Sequence, residues 1–527
     1  MIILVISIPY FCNLFCLSIR KFSILMSQYA KMKYTALALF TVILTFIACR
    51  KDDSFTTDTG AKLRFSSDTL RFDTVFTSVG SATRYFKVFN QNNKPIKIAK
   101  ISLADKTSAV FNLNIDGESG RSFKDVIIPA NDSIYVFAEV TINPNAPLST
   151  SPFVIAENLI FETNGNTQTV VLEAWGQNAN YIPNRFAGGK QYILDCGGGE
   201  VVWNDKKPYV VYGILGITNG TLRLPAGTHI YVHGGIVTTQ DSVVYRDGIL
   251  YFFNNANLIS EGTVDKPVII ESDRLEKEFA DEIDQWTGII LAQRSQGNAL
   301  TNTIIRNSRV GVRVDSAASL SLRSCKIYNT ASSGLLAIHA NVTAENCLFY
   351  NNYQNNVQIE FGGEYNFNYC TMASFGSKEP ALSANNIYCY ERNALGGCVS
   401  GKAYPLSMTA KNCIFYGSKE DEVSLFDGTT TPTTDFNFAF QNSIVRVKDL
   451  LKTDNFPKFL TDNCKDCINA SSTAKVFRKY STGDFHLDTL SIAEQKALPI
   501  ALITRDLDNK LRDVAKPDIG CYEFYPK

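Results

Sequence analysis

The chain is predicted to be all-β, a β-sandwich followed by a parallel β-helix, and two observations carry that prediction. From Lys62 to Ala179, runs of alternating apolar and polar residues are split by Asn, Gly and Asp turns, the pattern of short half-buried strands. Further on, a four-residue motif recurs: a polar residue or Tyr, a small residue, any residue, an apolar residue. Its copies are Asn302-Thr303-Ile304-Ile305, Ser324-Cys325-Lys326-Ile327, Asn346-Cys347-Leu348-Phe349 and Tyr369-Cys370-Thr371-Met372, at steps of 22, 22 and 23. Asn412-Cys413-Ile414-Phe415 follows after 43 residues and Asn442-Ser443-Ile444-Val445 after another 30. A period of this length is the mark of a solenoid, whose single unit cannot bury its apolar face alone.

Within a copy, the small residue and the apolar residue two later share a parity, as in Cys325 with Ile327 and Cys347 with Phe349, so both face inward from one strand. A second inward set lies three and five residues before the small position: Leu322 and Leu320, Ala344 and Val342, Ala410 and Met408. The inward parity breaks once, just before the small residue, and four of the six copies place Asn there. Asn tolerates the left-handed backbone that a sharp corner requires. Gly311 and Gly334 open further strands, Val312-Arg313-Val314 and Leu335-Leu336-Ala337-Ile338. About three strands per coil, stacked at the roughly 4.8 Å strand spacing, make a parallel β-helix. The fixed Leu and Asn pattern of a leucine-rich repeat is absent. Cys325, Cys347 and Cys370 then stack on successive coils. Disulfides or a soft-metal site would be within reach, but Thr303 and Ser443 share the slot, so small apolar filler is the reading adopted.

The elements run in order from the amino terminus. In residues 1–48, Met32-Lys33 precedes an apolar stretch from Tyr34 to Ile47 and then Ala48-Cys49, a secretory signal with the true start expected at Met32. Phe46-Ile47-Ala48-Cys49 resembles the lipobox of bacterial lipoproteins, with Phe46 where Leu is usual. The resemblance implies cleavage before Cys49 and acylation of that residue, hence anchorage to a lipid bilayer. Arg50-Lys51-Asp52-Asp53 resembles the surface-export signal of lipoproteins of Bacteroidetes-type bacteria, within a lipidated tether at 49–61. Residues 62–179 form the sandwich, and around Phe72-Asp73-Thr74-Val75-Phe76 they resemble the Ig-like modules of such lipoproteins. That module is expected to act as a spacer, with glycan binding as its alternative. A linker or amino-terminal cap is expected at 180–208, the helix at 209–447 with an insertion at 375–411 holding an additional coil, and a carboxyl-terminal coil and cap at 448–527. Val210-Val211-Tyr212-Gly213-Ile214-Leu215, Pro267-Val268-Ile269-Ile270, Gln285-Trp286-Thr287-Gly288-Ile289-Ile290-Leu291 and Asp518-Ile519-Gly520-Cys521-Tyr522-Glu523 resemble right-handed parallel β-helix repeat lipoproteins of the pectate-lyase-like superfold. That likeness spans Tyr209 to Phe524 and implies fold rather than activity.

Candidate chemistry is sparse. The chain has 51 basic and 51 acidic residues, and removing 1–48 takes away four bases and no acids. A nearly neutral chain without a basic tract excludes nucleic acid as an expected partner. Sugar-cleaving sites need paired carboxylates, or calcium-binding acids beside a base. The outward positions beside the corner, Lys326, Leu348, Thr371 and Ile414, make no acidic row, and Arg313, Arg323 and Lys326 read as solvated surface. Glu271, Asp273, Glu276, Glu278, Asp281, Glu282 and Asp284 are the densest acids, with Ca²⁺ as a conceivable ligand and an exposed loop as the reading adopted. His229 and His233 lie four apart on a strand and turn, so they are not a helical zinc pair. Cys464-Lys465-Asp466-Cys467 reads as a surface disulfide or free thiols, and Cys389 with Cys398 as a bridge across the insertion. Tyr350, Tyr353, Tyr365, Tyr388 and Tyr390 are the candidate glycan contacts.

The expected function is a lipid-anchored protein of the outer membrane, exposed at the cell surface. Its β-helix is expected to bind or scaffold an extracellular glycan or an envelope protein without catalysis and without a cofactor. The alternative is a polysaccharide lyase or glycoside hydrolase acting on an extracellular polysaccharide.

Overall fold

Backbone conformation at one position per coil organises the larger part of this chain. The structure, a computed structural model, describes residues 54–76, 83–104, 110–141, 153–177, 179–183, 191–238, 244–275, 279–393, 398–429, 435–454 and 456–526. The first residue of every motif copy is left-handed: φ is 43° at Asn302, 53° at Ser324, 53° at Asn346, 52° at Tyr369, 57° at Asn412 and 43° at Asn442. Asn adopts this region at small cost, whereas a bulky residue does so only when its surroundings hold it there. Tyr369 is so held: its hydroxyl donates to Leu498 O at 2.7 Å, and the Arg512 guanidinium lies 3.9 Å from its ring centre. Two further left-handed rows repeat at the same step, Asn307, Asn329 and Asn351, then Ala317, His339 and Phe361. Each coil therefore turns three corners.

The strands between corners stack in parallel into an 11-stranded sheet and a 15-stranded sheet. In the first, Ile305 pairs with Ile327, Ile327 with Phe349, Phe349 with Met372 and Met372 with Phe415. All five are fully buried, so one register position becomes one interior column. Beside it runs the thiol column. Cys325, Cys347, Cys370 and Cys413 are free and buried. The Cys325 and Cys370 thiols donate to Leu300 O and Ala344 O at 3.3 and 3.4 Å. Burial pushes the Cys325, Cys347 and Cys370 thiols well above the ordinary thiol range. They fill space and spend their weak donors on carbonyls.

Strand pairing moves three of the expected boundaries. Asn180–Ile182 pairs in parallel with Tyr209–Val211, and Gln191–Val202 with Ile214–Pro225. Within the range expected as a linker or amino-terminal cap, Asn180–Ile182 and Gln191–Val202 are thus strands stacked on the coil that follows. Across the 43-residue gap, Thr371–Ser374 pairs directly with Ile414–Gly417, so no additional coil is present there. The excess is an antiparallel hairpin, Ile387–Arg392 with Cys398–Ala403, bridged by the Cys389–Cys398 disulfide. Beyond 447, Asp466-Cys467-Ile468 repeats the corner and small residue of the motif, with Asn469 in the apolar place, Asp466 at φ 57° and Ile468 paired with Ile444. Cys467 is disulfide-bonded to Cys464.

The remaining carboxyl-terminal residues fold back along the outside of the 11-stranded sheet. Outward-facing Leu348, Tyr369, Ile414, Tyr416 and Ile444 are buried in one cluster with Val476, Phe485, Leu487, Ile503, Leu507, Ile519 and Tyr522. The corner residues clasp this segment. Asn412 donates to Leu498 O at 2.8 Å and accepts from Leu498 N–H at 2.9 Å, while Asn346 and Asn442 donate to Arg505 O and Lys496 O. Arg512, with 2% of its side chain exposed, faces Glu523 at 3.3 Å and donates to Asn346 Oδ1 and Gly520 O at 2.9 Å. A charge taken out of water requires such partners.

The amino-terminal part holds ten strands: β1 (Arg64–Phe65), β2 (Thr69–Phe76), β3 (Arg84–Phe89), β4 (Ile96–Leu103), β5 (Val110–Ile115), β6 (Glu118–Gly120), β7 (Ser122–Ile128), β8 (Ser133–Thr141), β9 (Phe153–Thr163) and β10 (Asn166–Gln177). They form two five-stranded sheets, β1-β3-β8-β5-β6 and β2-β10-β9-β4-β7. Phe86, Ile98, Phe111, Val136, Phe161 and Leu172 belong to the core these strands share. Alternation explains it, since β8 reads buried at every second residue from Ile134 to Val140. Among the described residues, no helix is long and apolar enough to cross a membrane. Cys49 and the whole of residues 1–53 lie outside the described residues.

Phe349 sits with all its surface buried in the interior column. Phe349→Ala is therefore expected to lower unfolding free energy by about 3–5 kcal/mol, measured by urea denaturation followed by circular dichroism.

Candidate ligand-binding face

One residue after each inward apolar position, the 11-stranded sheet turns a side chain outward. In-register stacking brings Tyr231, Glu271, Arg306, Tyr328 and Tyr350 from successive coils into one row. Glu271 is its centre. Only 7% of its side chain is exposed, and it accepts hydrogen bonds from His229 Nε2 at 2.6 Å and Arg306 Nε at 2.5 Å. The Arg306 Nη1 reaches Tyr328 Oη at 3.3 Å, the Tyr328 and Tyr350 rings stack at 4.5 Å, and His229 stacks on Tyr231 at 4.1 Å. Burial by itself would raise the Glu271 pKa, but the His229 hydrogen bond and the Arg306 charge outweigh it and hold the carboxyl below its ordinary value. Burial works against the Arg306 charge too, and Tyr328 and Glu271 reverse it. Burial pushes the Tyr231 and Tyr350 hydroxyls far up. The row is thus an ion pair set between aromatic rings, with its charges satisfied internally.

The carboxyl-terminal segment walls one end of this row. Tyr350 packs on Phe485 at 4.8 Å. The next residue, His486, is held between Asp484 Oδ1 at 2.6 Å and Asp508 Oδ2 at 2.8 Å and stacks on Tyr522. Lys326 stands at the boundary, its Nζ 6.0 Å from the Tyr522 ring centre.

The structure distributes the sequence candidates differently from their order in the chain. Of the five tyrosines, Tyr350 joins the row and Tyr353 is half exposed. Tyr365 is 4% exposed inside the helix, its hydroxyl donating to Gly362 O at 2.9 Å, and so makes no surface contact. Its inward parity, shared with Val342 and Met408, places it there. Tyr388 and Tyr390 stand on the antiparallel hairpin, their rings 5.3 Å apart, with Tyr388 against Phe361 at 5.0 Å. The acidic run is divided as well. Glu271 enters the row, Asp273 faces His233 at 2.7 Å, Asp284 faces Arg246 at 2.8 Å, and Glu276 and Glu278 lie outside the described residues. Among the described residues, no group of three or more His, Cys, Asp or Glu gathers at metal-binding distance. Arg323 faces Glu345 one coil away at 3.2 Å, in an exposed pair of little energetic weight. Arg306, Tyr328, Tyr231 and His229 were missed as a group. The signal for Tyr231, Arg306 and Tyr328 was the register position two residues beyond Lys326, and His229 occupies the Lys326 position itself.

Residues 213–374 and 287–445 match the family model described as right handed beta helix region. The chain is thus a right-handed parallel β-helix-like repeat fold over this span. No curated protein matches it. Among solved structures, a protein of unknown function from Porphyromonas gingivalis W83 is 14% identical with a TM-score of 0.17, over 26% of this chain and 59% of that one. A family 123 glycoside hydrolase from Clostridium perfringens is 7% identical with a TM-score of 0.16, over 23% and 30%. The catalytic unit of a GH87 alpha-1,3-glucanase from Streptomyces thermodiastaticus is 9% identical with a TM-score of 0.23, over 68% and 66%. The chain spans less than two thirds of the first two proteins' lengths. Likenesses this slight carry no argument.

The hydrogen bond to Asp508, then that to Asp484, raises the His486 pKa above its ordinary 6.5 against the effect of burial. A raised histidine pKa adds stability below the unfolded value that is lost as pH rises through the folded one. Asp506, Asp518 and Glu523, raised by burial, act in the same sense but from their lower ordinary values of 3.8 and 4.5. Amide-exchange protection of residues 484–526 is therefore expected to fall as pH rises past the ordinary histidine value of 6.5, with His486→Gln flattening that fall.

Proposed function

We propose that the protein is a lipid-anchored, cell-surface protein whose β-helix binds an extracellular glycan on the outer face of the 11-stranded sheet, without cleaving it. The observation that carries this is the Tyr231, Glu271, Arg306, Tyr328 and Tyr350 row. A carboxylate clasped by His229 and Arg306 and held below its ordinary pKa is a poor proton donor at neutral pH. Tyr231 and Glu271 are buried, and the partly exposed Tyr328 and Tyr350 rings beside the Arg306 guanidinium offer what a sugar ring needs from a binding surface, aromatic edges next to a fixed charged hydrogen-bonding group. The exposed Asn351, which donates to the buried Asn329 Oδ1 at 2.5 Å, adds an amide group beside the row. An envelope protein is the other partner this face would suit.

The anchor belongs to the same reading. Acylation of Cys49 places the chain on the outer membrane, and the Ig-like character read in the two amino-terminal sheets makes them a spacer between bilayer and β-helix. The near balance of acids and bases supports a partner other than nucleic acid.

Incubation with a panel of acidic and neutral polysaccharides, with and without Ca²⁺, is expected to show retention without cleavage. Tyr328→Ala with Tyr350→Ala should weaken retention about tenfold, the loss of about 1.4 kcal/mol. New unsaturated or reducing ends would overturn the reading in favour of a lyase or glycoside hydrolase. Cells fed an alkyne fatty acid are expected to label the protein, and Cys49→Ala should abolish the label; persistent labelling would place the lipid elsewhere.

A further inference from the structure

Strands β3 and β8 carry a second surface with no role in the reading above. They pair antiparallel, setting Tyr85 opposite Phe137 and Lys87 opposite Tyr135. Their inward residues, Phe86, Val88, Val136 and Ala138, are core. Their outward residues are three large rings left in water: Tyr85 is 57% exposed, Tyr135 42% and Phe137 37%. The rings touch one another, with centres 5.4 Å apart for Tyr85 and Tyr135, 5.8 Å for Tyr85 and Phe137, and 5.8 Å for Tyr135 and Phe137, the last pair stacked. Folding does not require them, because the shared core lies on the opposite face of the sheet. Contiguous exposed aromatic surface of this kind marks a binding site.

What lies beside the rings narrows the ligand. Strand β5 sets Asn112 opposite Glu139 and Asn114 opposite Phe137. Asn112 Nδ2 reaches Glu139 Oε1 at 3.2 Å, and Asn114 Nδ2 reaches Ser119 Oγ at 3.0 Å. These groups line a groove of about 450 Å³ that ends on Phe137. The outward face carries two bases, Arg64 of β1 over the Phe89 ring and Lys87 over the Tyr135 ring, and one acid, Glu139, so it offers a charged polymer only a small net charge.

We infer that this face is a glycan-binding platform for a linear polysaccharide of neutral sugars. The apolar C–H faces of successive pyranose rings lie on Tyr85, Tyr135 and Phe137, and their hydroxyls reach into the groove to Asn112, Asn114 and Glu139. Amides and a carboxylate exchange hydrogen bonds with hydroxyls without burying a lone charge. The spacer thereby holds a polymer of its own, whatever the β-helix face binds.

Affinity electrophoresis of the purified intact protein through gels containing soluble xylan, mixed-linkage β-glucan or galactomannan tests this directly. The expected result is retardation by at least one of the three. Tyr85→Ala with Tyr135→Ala should raise Kd about tenfold or more, and Tyr135→Phe should stay within about twofold because the ring is kept. Phe137→Ala alone, at the groove's end, gives a second reading that does not depend on the double variant folding. Retardation by none of the three polymers overturns the inference, as does retardation that these substitutions leave intact. Loss of retardation on Tyr328→Ala instead would assign the glycan to the β-helix. A self-associating protein in sedimentation, made monomeric by the double variant, would make the rings a contact between copies and overturn the inference as well.

Discussion

In-register stacking is the constraint on which this molecule depends. Each strand of a coil satisfies its backbone hydrogen bonds only through the strands above and below, so a coil must repeat the path of its neighbour nearly atom for atom. That demand falls hardest on the corners. Six consecutive copies of one corner are left-handed whether the residue is Asn, Ser or Tyr, which shows the fold imposing a conformation that only some of those residues favour. The small residue that follows is equally constrained. Cys, Thr and Ser exchange there because each is compact and can donate to a carbonyl, as Cys413 does toward Lys411 O at 3.2 Å and Ser443 toward Gln441 O at 2.9 Å.

The same constraint builds the surface. Identical register positions on successive coils become rows, inside and out, so residues 22 to 42 positions apart meet as neighbours. Glu271 lies 35 residues from Arg306 and 42 from His229, yet touches both. The row is also finite. Where its register continues to Ala373 and Tyr416, the returning carboxyl-terminal segment covers the sheet, and the charged part of the row is left on the coils before it. The fold-back is anchored by corner side chains, so the Asn residues serve twice, once through backbone conformation and once through their amides.

Much of the helix was legible because its signal is local and periodic. The corner Asn, the small residue and the apolar residue two later identify a strand and its inward face without any long-range information. The first coil was not legible as such, since Asp195-Cys196-Gly197-Gly198-Gly199 carries no copy of the motif and its pairing with the next coil shifts register there. The final, partial copy, Asp466-Cys467-Ile468, was obscured by its own CxxC spacing, which suggests redox or metal chemistry before it suggests a corner. Tyr365 was misjudged because an aromatic ring near a surface loop invites a binding role, although its inward parity had already placed it in the core. The covering segment left a trace that was not used: an outward Leu and Ile on a solvated face call for a partner.

Local chemistry, then, determined the strand directions, the corners and which side chains enter the columns, because alternation and left-handed preference act over two to four residues. Only the tertiary structure decided which charges meet, which tyrosines stay in water and which flank of the helix is sealed. Those outcomes depend on coil length and on where the chain returns, and both are set by contacts between residues far apart in sequence. Glu271 is an exposed-loop acid by its neighbours in the chain and a buried, doubly bonded carboxylate by its neighbours in space.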